Sequence, residues 1–297
     1  MTGDLAAFVA RSLDRPVPDF VKEAAAALAA REPGAVAVLF YGSNLRTGSA
    51  EGVLDFYLLR EGAVERGIWP RVGYLELPHG DAVLRIKLAT MTLATFARAA
   101  AARTLDTTIW ARFVQPAALV WRRDAESAGR AVAAVAAAAV SAGRFAAALG
   151  PERGRAEDFW RALFARTYAA EFRVERRGRG DEIVAHDPDR YARLLPLAWE
   201  AGGVDFAMEE DVLAPSLPSA ECASLRRAWA RRRRAGKPLN LLRLAKAAFT
   251  FDGAARYGAW KIERHTGVPV ILTPWRERHP LLAAPGVLWR VWRARAT

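Results

Sequence analysis

The sequence has only one cysteine, Cys222, so no disulfide can close within the chain, and such sparse thiol usage fits a reducing compartment. Histidine is also scarce. Of the four present, His265 and His279 match no metal-ligand spacing and read as structural. The N-terminus shows no charged segment running into an apolar one, so a secretory signal is not expected. The best membrane-span candidate is Ala131–Ala148, but alanine transfers weakly into lipid, and Arg130, Gly143 and Arg144 lie in or beside the run. It reads as a tightly packing helix of a soluble protein. No internal repeat is present. What remains is a globular composition, 52% apolar and 26% charged over 297 residues, with room for about two domains.

Acidic residues are nearly missing from the last quarter of the chain. Residues 226–297 hold 17 of the 44 Lys and Arg but only three of the 32 acids, a net of +14. The first 225 residues, with 27 basic and 29 acidic side chains, carry −2. One tail therefore supplies all the excess charge, and it is expected to face an anionic partner: lipid, nucleic acid or a phosphorylated substrate.

Hydrophobic periodicity predicts helix over residues 5–31, interrupted near Pro16 and Pro18, and a buried strand at Ala35–Tyr41. Further strands are expected at Val53–Leu59, Val72–Leu77 and Ala82–Ala89. A helix at Leu93–Arg103 follows, and then Thr108–Val120 leads through Pro116 into a last β-like run. Beyond Ala125 the pattern is helical, with a break at Gly150-Pro151. Arg173–Pro188 reads as an exposed loop, Arg190–Trp199 as helix, and Gly202–Pro218 as a linker. Two helical stretches, Leu225–Arg234 and Leu239–Phe249, open the basic region. The expected architecture is α+β: a mixed sheet with flanking helices over residues 1–122, a mainly helical domain over 123–224, and a basic, aromatic region over 225–297.

The chemistry concentrates where the first strand runs into Gly42-Ser43. A glycine turn at a strand end lets backbone amides and a hydroxyl approach a triphosphate closely, and Arg46 is placed to neutralise a phosphate oxygen. Twelve residues after Ser43 comes Asp55, inside the next strand, pointing away from Leu54, Phe56 and Leu58 because strand side chains alternate. A carboxylate in such a setting is costly unless it holds a metal or a donor. Magnesium there would bridge triphosphate oxygens during in-line attack on the α-phosphorus, which is nucleotidyl transfer. Nucleotidyltransferases usually carry a second acid two positions on, where this chain has Tyr57. Glu76, on the following strand, is the candidate for the missing carboxylate, ahead of Asp81 in a turn and Glu51.

The motifs FYGSNLRTG, VLDFYLL, VGYLEL, LRIKLATMTL and WARFVQPAALV, in this order over residues 36–121, resemble those of the mitochondrial-type phosphatidate cytidylyltransferases, the translocator assembly and maintenance family. That family also carries one aspartate in an apolar strand motif. Its Ile-Lys motif matches Ile86-Lys87, and its Gly-Arg-x-x-x-Pro motif matches Arg112 and Pro116, with Ala111 replacing the glycine. The resemblance implies magnesium-dependent transfer of CMP from CTP to phosphatidate, giving CDP-diacylglycerol and pyrophosphate in phospholipid biosynthesis. It further implies a winged-helix-like second domain and a cytoplasmic protein peripheral to the inner face of the membrane. By this likeness Gly42 and Ser43 hold the triphosphate, Asp55 the metal, and Lys87 and Arg112 phosphate.

At the C-terminal end, residues 286–295 are amphipathic if helical, with Trp289, Arg290, Trp292 and Arg293 suited to an anionic membrane interface. Two other readings stay open. One is nucleotidyl transfer to RNA, a small molecule or a protein; the other is a degenerate fold serving as a membrane or nucleic-acid binding module. The density of aromatic and polar residues over 246–265 suggests a functional surface without indicating its chemistry.

Overall fold

The computed structural model describes residues 2–80, 82–171, 179–250, 253–278, 282–286, 289, 290 and 293. Helices α1 (Thr2–Leu13) and α2 (Asp19–Arg31) precede strand β1 (Ala35–Tyr41), the short helix α3 (Ser43–Thr47), and strands β2 (Val53–Arg60), β3 (Arg71–His79) and β4 (Ala82–Thr92). Helices α4 (Leu93–Ala100) and α5 (Thr108–Phe113) lead to β5 (Ala117–Arg122). Then come α6 (Ala125–Leu149), β6 (Gly154–Arg155), α7 (Ala156–Ala170), α8 (Arg179–His186), α9 (Pro188–Gly202), β7 (Asp205–Glu209) and β8 (Val212–Ser216). The basic region forms α10 (Ser219–Thr250), α11 (Ala254–Thr266) and α12 (Pro274–Arg278).

The architecture is α+β, with a mixed five-stranded sheet flanked by helices. Its strand order is β3-β4-β2-β1-β5; β2 and β4 are parallel and the other neighbours antiparallel. Interior strand β1 is buried on both faces, which is why it reads as an unbroken apolar run rather than an alternating one. On β2 the alternation separates two cores. Leu54, Phe56 and Leu58 join Val38, Phe40 and the apolar side of α2, while Tyr57 and Leu59 join Val36, Leu39 and the helices on the opposite face. Asp55 therefore lies on the face opposite α2, the side of Tyr57.

Helix α6 is, among the described residues, the one long and apolar enough to cross a membrane by length and composition. In the fold it is the central packing helix, in contact with α1, α4, α5, α7, α9 and α10. Ala131, Ala134, Ala138, Ala139, Ala142 and Ala146 are all buried, so small side chains let neighbouring helices approach closely. Trp199 of α9 donates its indole N–H to the Gly143 carbonyl at 2.8 Å, anchoring one of these crossings.

Three expectations need correction. Arg179–His186 is helix, not loop: Ile183 and Val184 are buried on one side of it, and burial of that short apolar edge outweighs the polar composition. The proposed linker over 202–218 contains the hairpin β7–β8, to which β6 adds a third strand. The two helical stretches of the basic region are one helix, α10, continuous through Gly236 and Pro238. Gly236 is required there, since a Cβ would lie 2.3 Å from the Ala170 carbonyl oxygen where α10 crosses the end of α7.

Candidate active site

Strand pairing assembles the site as a row. Tyr41 on β1 is opposite Asp55 on β2, Asp55 is opposite Lys87 on β4, and Lys87 is opposite Tyr74 on β3. The first three of these line a pocket of about 270 Å³ together with Gly42, Ser43, Arg46 and Arg112. Six residues singled out by the sequence, Gly42, Ser43, Arg46, Asp55, Lys87 and Arg112, thus come together in one cavity.

Backbone geometry explains the glycine. Gly42 has φ +93° and ψ −161°, a region essentially closed to residues with a side chain, and a Cβ there would stand 3.1 Å from Asp55 Oδ2. Buried Asn44 then fixes the loop that follows by donating from Nδ2 to the carbonyls of Ser49 at 2.9 Å and Glu51 at 2.6 Å. The Arg46 guanidinium folds back, with Nη1 3.5 Å from the Gly42 carbonyl oxygen. Gly42→Ala should therefore add about 1–3 kcal/mol of strain and displace the Asp55 carboxylate. Thermal unfolding and kcat/KM would both register it; wild-type values in both would show that the turn tolerates a side chain.

Arg112 enters from α5. Its Nη1 donates to the Tyr41 hydroxyl at 3.3 Å, and the guanidinium lies 5.1 Å from the Tyr41 ring centroid and 6.0 Å from that of Tyr57. Tyr57, standing where a second acid was sought, is buried against Tyr41, Phe96 and Phe113. It supports Arg112 instead of binding metal. Burial pushes the Tyr41 and Tyr57 hydroxyls up, so both remain protonated at neutral pH. Burial likewise raises the Asp55 carboxyl above its ordinary range, while Lys87 and then Arg112 pull it back.

Helix α5 is held at both ends. Asp106, just before it, meets Arg243 of α10 at 2.6 Å, and Thr107 Oγ1 donates to buried Glu171 at the end of α7 at 2.8 Å. At the other end, buried Arg190 of α9 donates to the Val114 carbonyl at 2.8 Å. The orientation of Arg112 is thus set by three helices of the later sequence.

No protein-family model matches the chain, and no curated protein matches it.

Glu76 is not brought into the pocket. It accepts a hydrogen bond from Tyr74 Oη at 2.8 Å and lies 3.9 Å from Arg85, whose guanidinium covers Trp260 of α11 at 5.4 Å. It therefore belongs to the contact between the sheet edge and α11. Asp81 lies outside the described residues. Among the described lining residues Asp55 is the only carboxylate, facing the cations Arg46, Lys87 and Arg112. This set fits magnesium in one respect: that ion commonly takes one or two protein carboxylates and completes its shell with water and substrate phosphates. Among the described residues no cluster of three or more His, Cys, Asp or Glu forms a protein cage.

The remaining wall was legible only in part, through Pro116 of the Arg112–Pro116 motif. Gln115 and Pro116 follow α5, Tyr168 comes from α7, and Ile183 and His186 come from α8. Gln115 lies inside that motif, whereas Tyr168, Ile183 and His186 carried no signal in the sequence.

Proposed function

We propose that this chain is a magnesium-dependent nucleotidyltransferase that transfers CMP from CTP to phosphatidate, releasing pyrophosphate. The observation that carries this reading is the single pocket in which Asp55 faces Arg46, Lys87 and Arg112 beside the Gly42-Ser43 turn. Three permanent cations around one acid suit a polyanion, and a triphosphate has the charge to match. The motif resemblance over residues 36–121 narrows the substrates to CTP and phosphatidate.

In this reading Ser43 and the turn hold phosphate oxygens, while Arg46 and Lys87 neutralise charge that would otherwise repel an anionic acceptor. Arg112, braced by Tyr41 and Tyr57, offers a planar donor fork to one phosphate. An acceptor phosphate oxygen attacks the α-phosphorus of CTP, the bond to the departing pyrophosphate breaks, and the new phosphoanhydride is CDP-diacylglycerol. Asp55 would hold the magnesium ion, which would supply Lewis-acid stabilisation of the charge that builds on the leaving oxygens.

The C-terminal region supports an acceptor at a membrane. Leu241, Leu242, Ile271, Trp275, Leu282 and Trp289 are all large apolar side chains left exposed there. Arg276 lies beside Trp275, and Arg293 stacks over Trp289 at 4.9 Å. Trp292 lies outside the described residues. The basic excess is not all outward, however. Arg226 donates to the Ala148 carbonyl, Arg232 to Ala102 and Thr104, Arg243 to Trp69, and Lys246 to Ile68. Trp229 is buried against Phe145. These residues fasten α10 to the fold, and the remaining arginines carry the interfacial role.

The test is direct. Purified protein with magnesium and labelled CTP should move label into an organic-extractable product with phosphatidate vesicles. Label in RNA, or none with any nucleotide, would sink the reading. Deleting residues 286–297 should weaken sedimentation with anionic vesicles in a salt-sensitive way while barely changing it with neutral ones. Equal binding of the intact protein to both vesicle types would remove the membrane from the account.

A further inference from the structure

The pocket has two chemically different walls. One side carries the cations, Lys87 from β4, Arg46 from α3 and Arg112 from α5, and suits phosphate. The other side, just after α5 and on α7 and α8, presents an amide, an aromatic ring, an aliphatic side chain and an imidazole, from Gln115, Tyr168, Ile183 and His186. The first three of these have little to offer a phosphate and much to offer a flat heteroaromatic ring, which gains by stacking on tyrosine and by hydrogen bonding at its edge. At about 270 Å³ the cavity is at the small end for ligand sites, which suits a base and sugar and excludes two acyl chains.

We propose that Tyr168 and Gln115 form the nucleoside subsite, with Tyr168 as the stacking platform and Gln115 selecting a base that carries an exocyclic amino group. The inference rests on the CMP-transfer reading and assigns the base-reading half of that pocket. Gln115 supplies the selectivity. Its Nε2 donates to the Ala111 carbonyl at 2.9 Å, which fixes the amide orientation. The Oε1 acceptor makes no hydrogen bond among the described residues and is the atom left to a ligand. An acceptor there pairs with the amino group of cytosine and meets the keto oxygen of uracil as a second acceptor, which is repulsive.

The two residues are also held at a fixed spacing. Half-buried Tyr168 packs against the main core, one turn before the buried Glu171 that accepts from Thr107 at the start of α5. Gln115 follows Val114, whose carbonyl takes the bond from buried Arg190. Platform and edge-reader are thus tied to one another and to Arg112, so base and phosphate are bound in one register.

The test compares magnesium-loaded binding of CTP, UTP and inorganic tripolyphosphate, by titration calorimetry, in the full chain. Tyr168→Leu should weaken CTP roughly tenfold while leaving tripolyphosphate within about twofold, and Tyr168→Phe should retain CTP binding. Gln115→Leu should collapse the preference for CTP over UTP without altering tripolyphosphate, and it keeps the question decidable if Tyr168→Leu does not fold. Equal losses for CTP and tripolyphosphate, or no preference for CTP over UTP in the wild type, would overturn the subsite. Wild-type binding of tripolyphosphate as tight as of CTP would overturn it too, with the phosphate pocket standing. Binding of none of the three would overturn subsite and CMP transfer together.

Discussion

Asp55→Asn should cut turnover at saturating magnesium and CTP by about a hundredfold or more, because it removes the one carboxylate that lines the pocket among the described residues. The same substitution should not destabilise the protein. Burial holds the Asp55 carboxyl above its ordinary range, so at neutral pH the ionised side chain is less at home in the fold than in the unfolded chain. An acid raised in this way costs stability above its folded-state pKa and costs nothing once protonated. The neutral amide removes that cost, and the thermal midpoint in chelator should stay level or rise. Glu76→Gln is the matching control: half-exposed at the edge of the sheet beside Tyr74 and Arg85, it should change turnover by no more than about threefold. A variant at Asp55 that loses activity and stability together would point to a structural role. Near-normal turnover would remove Asp55 from the chemistry.

The parts legible in the sequence were those governed by local rules. Period-two alternation placed Asp55 opposite Leu54 and Phe56, and in the structure those two join one core while Asp55 lines the pocket and Tyr57 joins the other core. The turn at Gly42 could be read because only glycine takes φ +93° so close to a carboxylate. Helix α8 was hidden because just two buried residues, Ile183 and Val184, hold it, and a short apolar edge in a polar, glycine-containing segment carries no clear period. Glu76 was misleading for a different reason. Strand position shows which face a residue takes, but whether it meets Asp55 or α11 depends on strand order, and β4 lies between them. Tyr168 and His186 reach the pocket from helices more than a hundred residues beyond Asp55, a proximity no local pattern records. Composition misled most in α10, where arginine density suggested an outward face while Trp229 and Arg232 are buried.

Arg243 gives that last point a measurable form. Its guanidinium donates to Asp106 Oδ1 at 2.6 Å, to Thr108 Oγ1 at 3.1 Å and to the Trp69 carbonyl at 3.1 Å, and it lies 5.2 Å from the Trp69 ring. Asp106 is 6% exposed, and its Oδ2 is buried without a donor. Removing the arginine therefore leaves a buried carboxylate with only the Thr108 hydroxyl, and the cost should be about 3 kcal/mol, far above the few tenths expected for a solvated tail residue. Arg290→Ala, at an exposed side chain, provides that baseline. Urea unfolding of Arg243→Ala, Asp106→Ala and the double variant should show strong coupling, with the double variant recovering much of the single loss. Because Asp106 leads directly into α5, nucleotide affinity should fall in Arg243→Ala as Arg112 loses its bracing, and it should return only in part in Arg243→Lys, which restores charge but cannot reach three acceptors at once. If Arg243→Ala unfolds at the same urea concentration as Arg290→Ala, the basic helix is a solvated surface after all, and its link to the pocket falls with it.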